Sequence, residues 1–182
     1  YPVLKYKVYQ EIGKDLYVPI GEKLAGELSV FNDTFADPNK QSYSYKISAI
    51  DSTGKYESSI SECTSHRTMH VVIVDKQGSS GTYLQWNAYD GFAFPSYTIY
   101  RNINGTFDSL STTAAGYFYN SFLDNYFSAK PTRYLVKLNS PAICTPTGTF
   151  KAESGPYAQS LSNIVEYKSS SRITTQNELS VS

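Results

Sequence analysis

Apolar and polar residues alternate with a period of two along most of the chain. Leu4-Lys5-Tyr6-Lys7-Val8-Tyr9, Tyr43-Ser44-Tyr45-Lys46-Ile47-Ser48-Ala49 and Tyr97-Thr98-Ile99-Tyr100 each carry this pattern. It belongs to extended segments with one face on a core and one in water. Short runs of turn-forming residues separate them: Ile12-Gly13-Lys14-Asp15, Asp37-Pro38-Asn39-Lys40, Ser52-Thr53-Gly54-Lys55, Gln77-Gly78-Ser79-Ser80-Gly81 and Asn102-Ile103-Asn104-Gly105. Short strands recurring behind such turns predict an all-β fold of the sandwich type. Ile20 to Leu28 holds some helix-favouring residues, but Gly21 and Gly26 interrupt it, and no helix is predicted.

The pattern also repeats. Tyr6-Lys7-Val8-Tyr9 matches Tyr97-Thr98-Ile99-Tyr100 at an offset of 91 residues, and Asp33 matches Asp124 at the same offset. Tyr43-Ser44-Tyr45-Lys46-Ile47 aligns there with Tyr134-Leu135-Val136-Lys137-Leu138. Three elements at one spacing predict a tandem of two related sandwiches. The first occupies residues 1–62, a linker 63–69, the second sandwich 70–167, and a polar C-terminal linker 168–182.

Composition agrees with the pattern: 17 Tyr and 9 Phe stand against 1 Met, and charged residues make up only 18%. Aromatic side chains suit a pleated, half-buried surface. Sixteen basic and sixteen acidic residues cancel to a formal net charge of zero. That balance argues against a nucleic-acid binder, which works by neutralising phosphates with a basic excess. The longest apolar run, Val71 to Val74, falls far short of the roughly 20 residues that span a bilayer as a helix, so the chain is expected not to span a membrane. The chain opens on Tyr1-Pro2-Val3 rather than Met, without a signal-peptide pattern, and is expected to be a piece of a longer precursor whose export signal lies upstream.

Little in the sequence points to catalysis. His66 and His70 lie four apart, a metal-ligand spacing on a helix; on a strand, residues so spaced stand roughly 13 Å apart, and packing or solvent-exposed histidines are expected. Cys63 near His66 lacks the orienting third group that an activated thiolate needs. Paired-carboxylate motifs, phosphate-binding glycine loops and zinc spacings are absent, so no catalytic, cofactor-binding or metal-ligating residue is expected. Asp33 and Asp124, at matching positions, read as turn caps.

Several stretches resemble a known family. Trp86 in Tyr83-Leu84-Gln85-Trp86-Asn87, Tyr97-Thr98-Ile99-Tyr100-Arg101, Phe122-Leu123-Asp124 and Tyr134 with its alternating apolar neighbours resemble strands B, C, E and F of a fibronectin type III domain. Tyr43 to Ser58 resembles strands F and G joined by a tight hairpin. More narrowly, Ser48-Ala49-Ile50-Asp51, Thr68-Met69-His70-Val71, Trp86 and Tyr89-Asp90-Gly91-Phe92 are similar to repeats near the C-terminus of Bacteroidetes proteins exported by the type IX secretion system, of adhesin or gliding-motility type. The resemblance implies tandem fibronectin type III-like (immunoglobulin-like) sandwiches covering about residues 3–167.

Two departures from the family follow. The counterpart of Trp86 in the first copy falls before residue 1, so the first sandwich lacks its strands A and B in this chain. The upstream part of the same precursor is expected to supply them, either in the continuous chain or as a segment severed by proteolysis; intact mass separates these. The second departure is a long F–G loop from Asn139 to Pro156, a candidate binding loop that contains Cys144. In the family this loop sits near the entry of strand A, which implies a disulfide between Cys63 and Cys144 and an oxidising location.

The same resemblance puts Trp86 in the core and exposes the B–C loop, making Phe92, Phe94 and Pro95 a possible contact loop or a packing surface against the first domain. Sequons at Asn32 and Asn104, and Asp-Ser/Thr pairs at Asp51 and Asp108, are weak glycosylation signals. The expected function is a non-catalytic spacer or adhesion module of an extracellular or cell-surface protein, with other proteins or cell-surface glycans as partners. The alternatives are an accessory region of a secreted hydrolase and a glycan-binding module.

Overall fold

The computed structural model describes residues 2–74, 81–115, 119–126, 130–144 and 157–168, without the side chains of 119, 143, 144 and 157. Strands and no helix are found among them. The first unit contains β1 (Val3–Gly13), β2 (Leu16–Leu24), β3 (Ser44–Asp51) and β4 (His66–Arg67), antiparallel in the order β2-β1-β3-β4. The second contains β5 (Val71–Val74), β6 (Thr82–Asn87), β7 (Ser96–Asn102), β8 (Phe107–Ala114), β9 (Tyr119–Asp124), β10 (Thr132–Cys144), β11 (Tyr157–Leu161) and β12 (Val165–Tyr167). There, β5-β6-β9 forms one sheet and β11-β10-β7-β8 the other, with β12 also paired to β10.

The second unit is a two-sheet sandwich. Period-two alternation aims Val71, Leu84 and Trp86 from one sheet at Tyr97, Ile99, Tyr134, Val136 and Leu138 from the other, and all of them, with Met69, are at most 2% exposed. Each such side chain contributes about 1.5–3 kcal/mol by leaving water. Trp86 stands edge-on to Tyr97 with ring centroids 5.6 Å apart. Buried Asn163, between β11 and β12, accepts from the Val71 N–H at 2.7 Å and donates to the Val71 carbonyl at 3.0 Å, bolting β5 to the end of the opposite sheet.

Each unit is anchored by the same three-residue device. Asp124 accepts two bonds from Arg101 Nη1 at 2.9 and 3.0 Å, one from the Tyr134 hydroxyl at 2.8 Å and one from the Tyr126 N–H at 3.0 Å. Asp33 accepts from Gln10 Nε2 and the Tyr45 hydroxyl, both at 2.9 Å, and from the N–H groups of Phe35 and Ala36. Both aspartates therefore cap turns, as expected, and each also holds a tyrosine of the neighbouring sheet. Burial and the Asp33 carboxylate push the Tyr45 hydroxyl up to about 12, and burial raises Tyr134 further.

The strand register corrects the repeat alignment. Arg101 lies opposite Tyr134, and Gln10 lies opposite Tyr45, so Tyr45 rather than Tyr43 is the counterpart of Tyr134. The loop after Asp33 is two residues longer than the loop after Asp124. Tyr43 and Tyr45 share a face, so sequence periodicity alone does not distinguish them. The Tyr43 hydroxyl instead accepts from the Asp37 N–H at 2.9 Å.

A second correction concerns strand E of the first unit. Residues 28–33, the counterpart of most of β9, form no strand. In the second unit β9 is held by β6, with Thr82 opposite Asp124 and Leu84 opposite Phe122, whereas no described strand of the first unit plays the part of β6. The segment folds back over the sheet instead. The Phe31 ring lies on Gly21, where a Cβ would meet Phe31 Cε2 at 2.5 Å, so only glycine leaves room for it.

The two anchors differ in charge and burial, which yields a test. Asp124→Ala strands the Arg101 guanidinium beside a buried tyrosine and is expected to destabilise the second unit by about 3–5 kcal/mol. Asp33→Ala leaves only neutral partners and costs the first unit about 1–3 kcal/mol. Urea unfolding of each variant, followed by amide exchange in the affected unit, checks the order; equal losses would refute it.

Candidate functional site

The described residues are most densely cross-bonded at the junction between the units. Ser61 to Thr68 reads in the sequence as a polar linker, yet its end is β4, the edge of the first sheet. Arg67 lies opposite Ser44 of β3 and its Nε donates to the Ser44 hydroxyl at 3.0 Å. On its other side the Arg67 N–H donates to the Asp90 carbonyl of the second unit at 2.8 Å. Thr68 is bound in both directions as well. Its N–H donates to the Tyr43 carbonyl and its hydroxyl accepts from the Tyr43 N–H, both at 2.9 Å, while its carbonyl accepts from Asn87 Nδ2 at 3.0 Å. Asn87 Oδ1 in turn accepts from the His70 N–H at 2.7 Å, and His70 Nε2 lies 3.1 Å from the Asn39 carbonyl.

Aromatic contacts run from this junction into the core. His66 Nδ1 is 3.1 Å from the Tyr89 hydroxyl, and its ring contacts Phe92 at 6.5 Å between centroids. Tyr89 packs on Phe92 at 4.9 Å and on Phe94 at 5.7 Å, and Phe94 meets Tyr97 at 4.8 Å. Gly91, with φ of 149°, makes this packing possible, since a Cβ there would lie 2.5 Å from both His66 Nδ1 and the Tyr89 hydroxyl.

The first sheet presents two different faces. On one, Glu57 accepts from Lys7 Nζ at 2.7 Å, from the Ser48 hydroxyl at 2.6 Å and from the Tyr9 hydroxyl. These donors, Lys7 foremost, hold the Glu57 carboxyl down at about 2, below the ordinary 4.5. On the opposite face lie Tyr6, Val8, Tyr45, Ile47 and Ala49, which the strand register equates with Tyr97, Ile99, Tyr134, Val136 and Leu138. Val136 is fully buried, whereas its counterpart Ile47 is 53% exposed. Exposed Leu28, Val30 and Phe35 lie in the segment beside this face.

The residues singled out from sequence fall as follows. Phe92 and Phe94 pack against the core cluster, and only Pro95 of that trio is exposed. Trp86 is buried, as the resemblance implied, at 1% exposure. His66 and His70 bond to different partners, and no group of three His, Cys, Asp or Glu side chains among the described residues is placed to hold a metal ion. Cys63 has a free thiol 3.5 Å from the Thr64 carbonyl. Cys144, its expected partner, ends β10 with its side chain outside the described set. Of the expected Asn139–Pro156 loop, the part up to Cys144 is strand, and 145–156 lie outside the described residues, as do 169–182. No helix among the described residues is long and apolar enough to cross a membrane. Sequence reasoning missed Thr68, Asn87 and Asn163, because a lone polar residue shows its value only when its partners are in place.

Comparison with known proteins adds no relative: no protein-family model matches the chain, and no curated protein matches it either.

Two predictions follow from this geometry. Arg67→Pro removes the N–H that reaches Asp90 and breaks β4, so proteolysis within 59–69 is expected to quicken several-fold while Trp86 emission stays unchanged. Unchanged proteolysis would show that β4 does not hold the junction. For Glu57, a depressed carboxyl pKa means stability fully present above about 4.5 and lost as pH falls toward 2. Glu57→Gln is expected to flatten that part of the acid-unfolding curve of the first sheet, measured by amide exchange in β1 and β3; superimposable curves would exclude the network.

Proposed function

We propose that the chain is a non-catalytic spacer or adhesion module of a larger exported, cell-surface protein, built from two fibronectin type III-like units of which the first is incomplete. The observation that carries this reading is the shared junction: β4 is hydrogen-bonded to β3 of one unit and, through Arg67, to Asp90 of the other. A linker that served only to tether would leave its backbone groups to water. Here they are spent on fixing one unit to the next, which suits a part that holds other parts at a distance. The strand orders of the second unit, with a three-stranded sheet facing a larger one, support the family reading. Packing of Phe92 and Phe94 inward favours the spacer over a glycan platform.

Replacement tests it. In the parent protein, exchanging residues 2–168 for an unrelated pair of rigid β-sandwiches of similar length is expected to preserve surface display and attachment. Loss of attachment after exchange, with display intact, would mean that the module binds a ligand itself and is no mere spacer.

A further inference from the structure

The first unit shows a sandwich sheet without its opposing layer, and the second unit shows what that layer looks like. The Asp33–Gln10–Tyr45 anchor reproduces Asp124–Arg101–Tyr134, and the β1–β3 register reproduces β7–β10. The two sheets are thus the same structure up to their apolar face. In the second unit this face is covered by β5 and β6, which deliver Val71, Leu84 and Trp86, while β6 also pairs with β9. In the first unit the same face carries half-exposed Ile47, and residues 28–33 stand in the place of β9 without forming a strand. Both deficits are those a hairpin of the β5–β6 type removes.

We propose that the β1–β3 face and residues 28–33 form an acceptor for a β-hairpin donated in trans by a partner polypeptide. The hairpin has two antiparallel strands of alternating apolar and polar residues. Its inner strand pairs with residues 28–33 as β6 pairs with β9, placing a small residue opposite Asp33 and an apolar one opposite Phe31. Its apolar side chains cover Val8 and Ile47. Main-chain bonds along an added strand give affinity, and alternate side chains entering the face give specificity. The proposal stands apart from the spacer reading, because an acceptor face does not depend on a stiff junction.

The test uses the whole chain and a synthetic peptide with the sequence of residues 69–88, read by hydrogen exchange. A companion chain carries a duplicate of residues 68–91 fused ahead of residue 1. Saturating peptide is expected to slow exchange in 28–33 and 45–49 roughly tenfold, and Ile47→Asp is expected to abolish the effect. Ile47 is exposed enough to accept Asp, and unchanged exchange in β1–β3 without peptide verifies the fold of that variant. Protection in the fused chain alone would overturn donation in trans. Protection in neither would overturn the acceptor itself. An Ile47-dependent dimer of the chain without peptide would overturn the proposal in favour of a second copy on this face.

Discussion

An antiparallel sheet with one apolar face is stable only when a second layer covers that face, and this constraint governs both halves of the chain. The second unit satisfies it: β5, β6 and β9 close over β7 and β10, and the side chains between them lose nearly all contact with water. At about 25 cal/mol per Å² of apolar surface, this layer is the dominant favourable contribution to its stability. The first unit has the same sheet, register and anchor, yet Ile47 remains half in solvent where Val136 is sealed. The difference lies in the missing layer rather than in the sheet.

The anchors show the same constraint acting on electrostatics. Asp124 is 4% exposed, and a carboxylate so buried requires a counter-charge with good geometry, which Arg101 supplies through two bonds from one nitrogen. Arg101 also lies over the Tyr126 ring, 4.3 Å from its centroid. Asp33 sits in the more open unit, where water carries part of the solvation and neutral Gln10 suffices. One geometric role, tying a turn to the tyrosine of the next sheet, is thus filled by different chemistry according to how much solvent remains.

Much of this was legible in the sequence, for definable reasons. Period-two alternation located β1, β3, β6 and β7, because it follows directly from the pleat. The repeat paired Asp33 with Asp124, since an anchoring residue must recur wherever its device does. Where the sequence misled, a longer-range fact decided. Choosing between Tyr43 and Tyr45 required knowing which strand residue faces Gln10. Strand E of the first unit looked sound from Phe31 and Asp33, but a strand needs a neighbour for its backbone groups, and sequence does not reveal whether one is present. The junction was hidden in the opposite way: Ser-, Thr- and His-rich composition reads as linker, while its hydrogen bonds come from Tyr43, Asn87 and Asp90, distant in sequence.

How the first unit can associate follows from which of its surfaces are closed. One edge of its sheet is β4, occupied by the junction and the second unit. The other is β2, where Pro19 offers no N–H and Glu22 and Lys23 place charges along the strand, both obstacles to strand addition. The face around Glu57 is a satisfied polar network, from which a partner would have to displace Lys7, Tyr9 and Ser48. What remains is the apolar face with Val8 and Ile47 beside residues 28–33. Association through either edge would extend the sheet without burying that face. Only a layer placed across it brings the first unit to the state that the second already holds, so the driving force for assembly and the missing part of the fold coincide there.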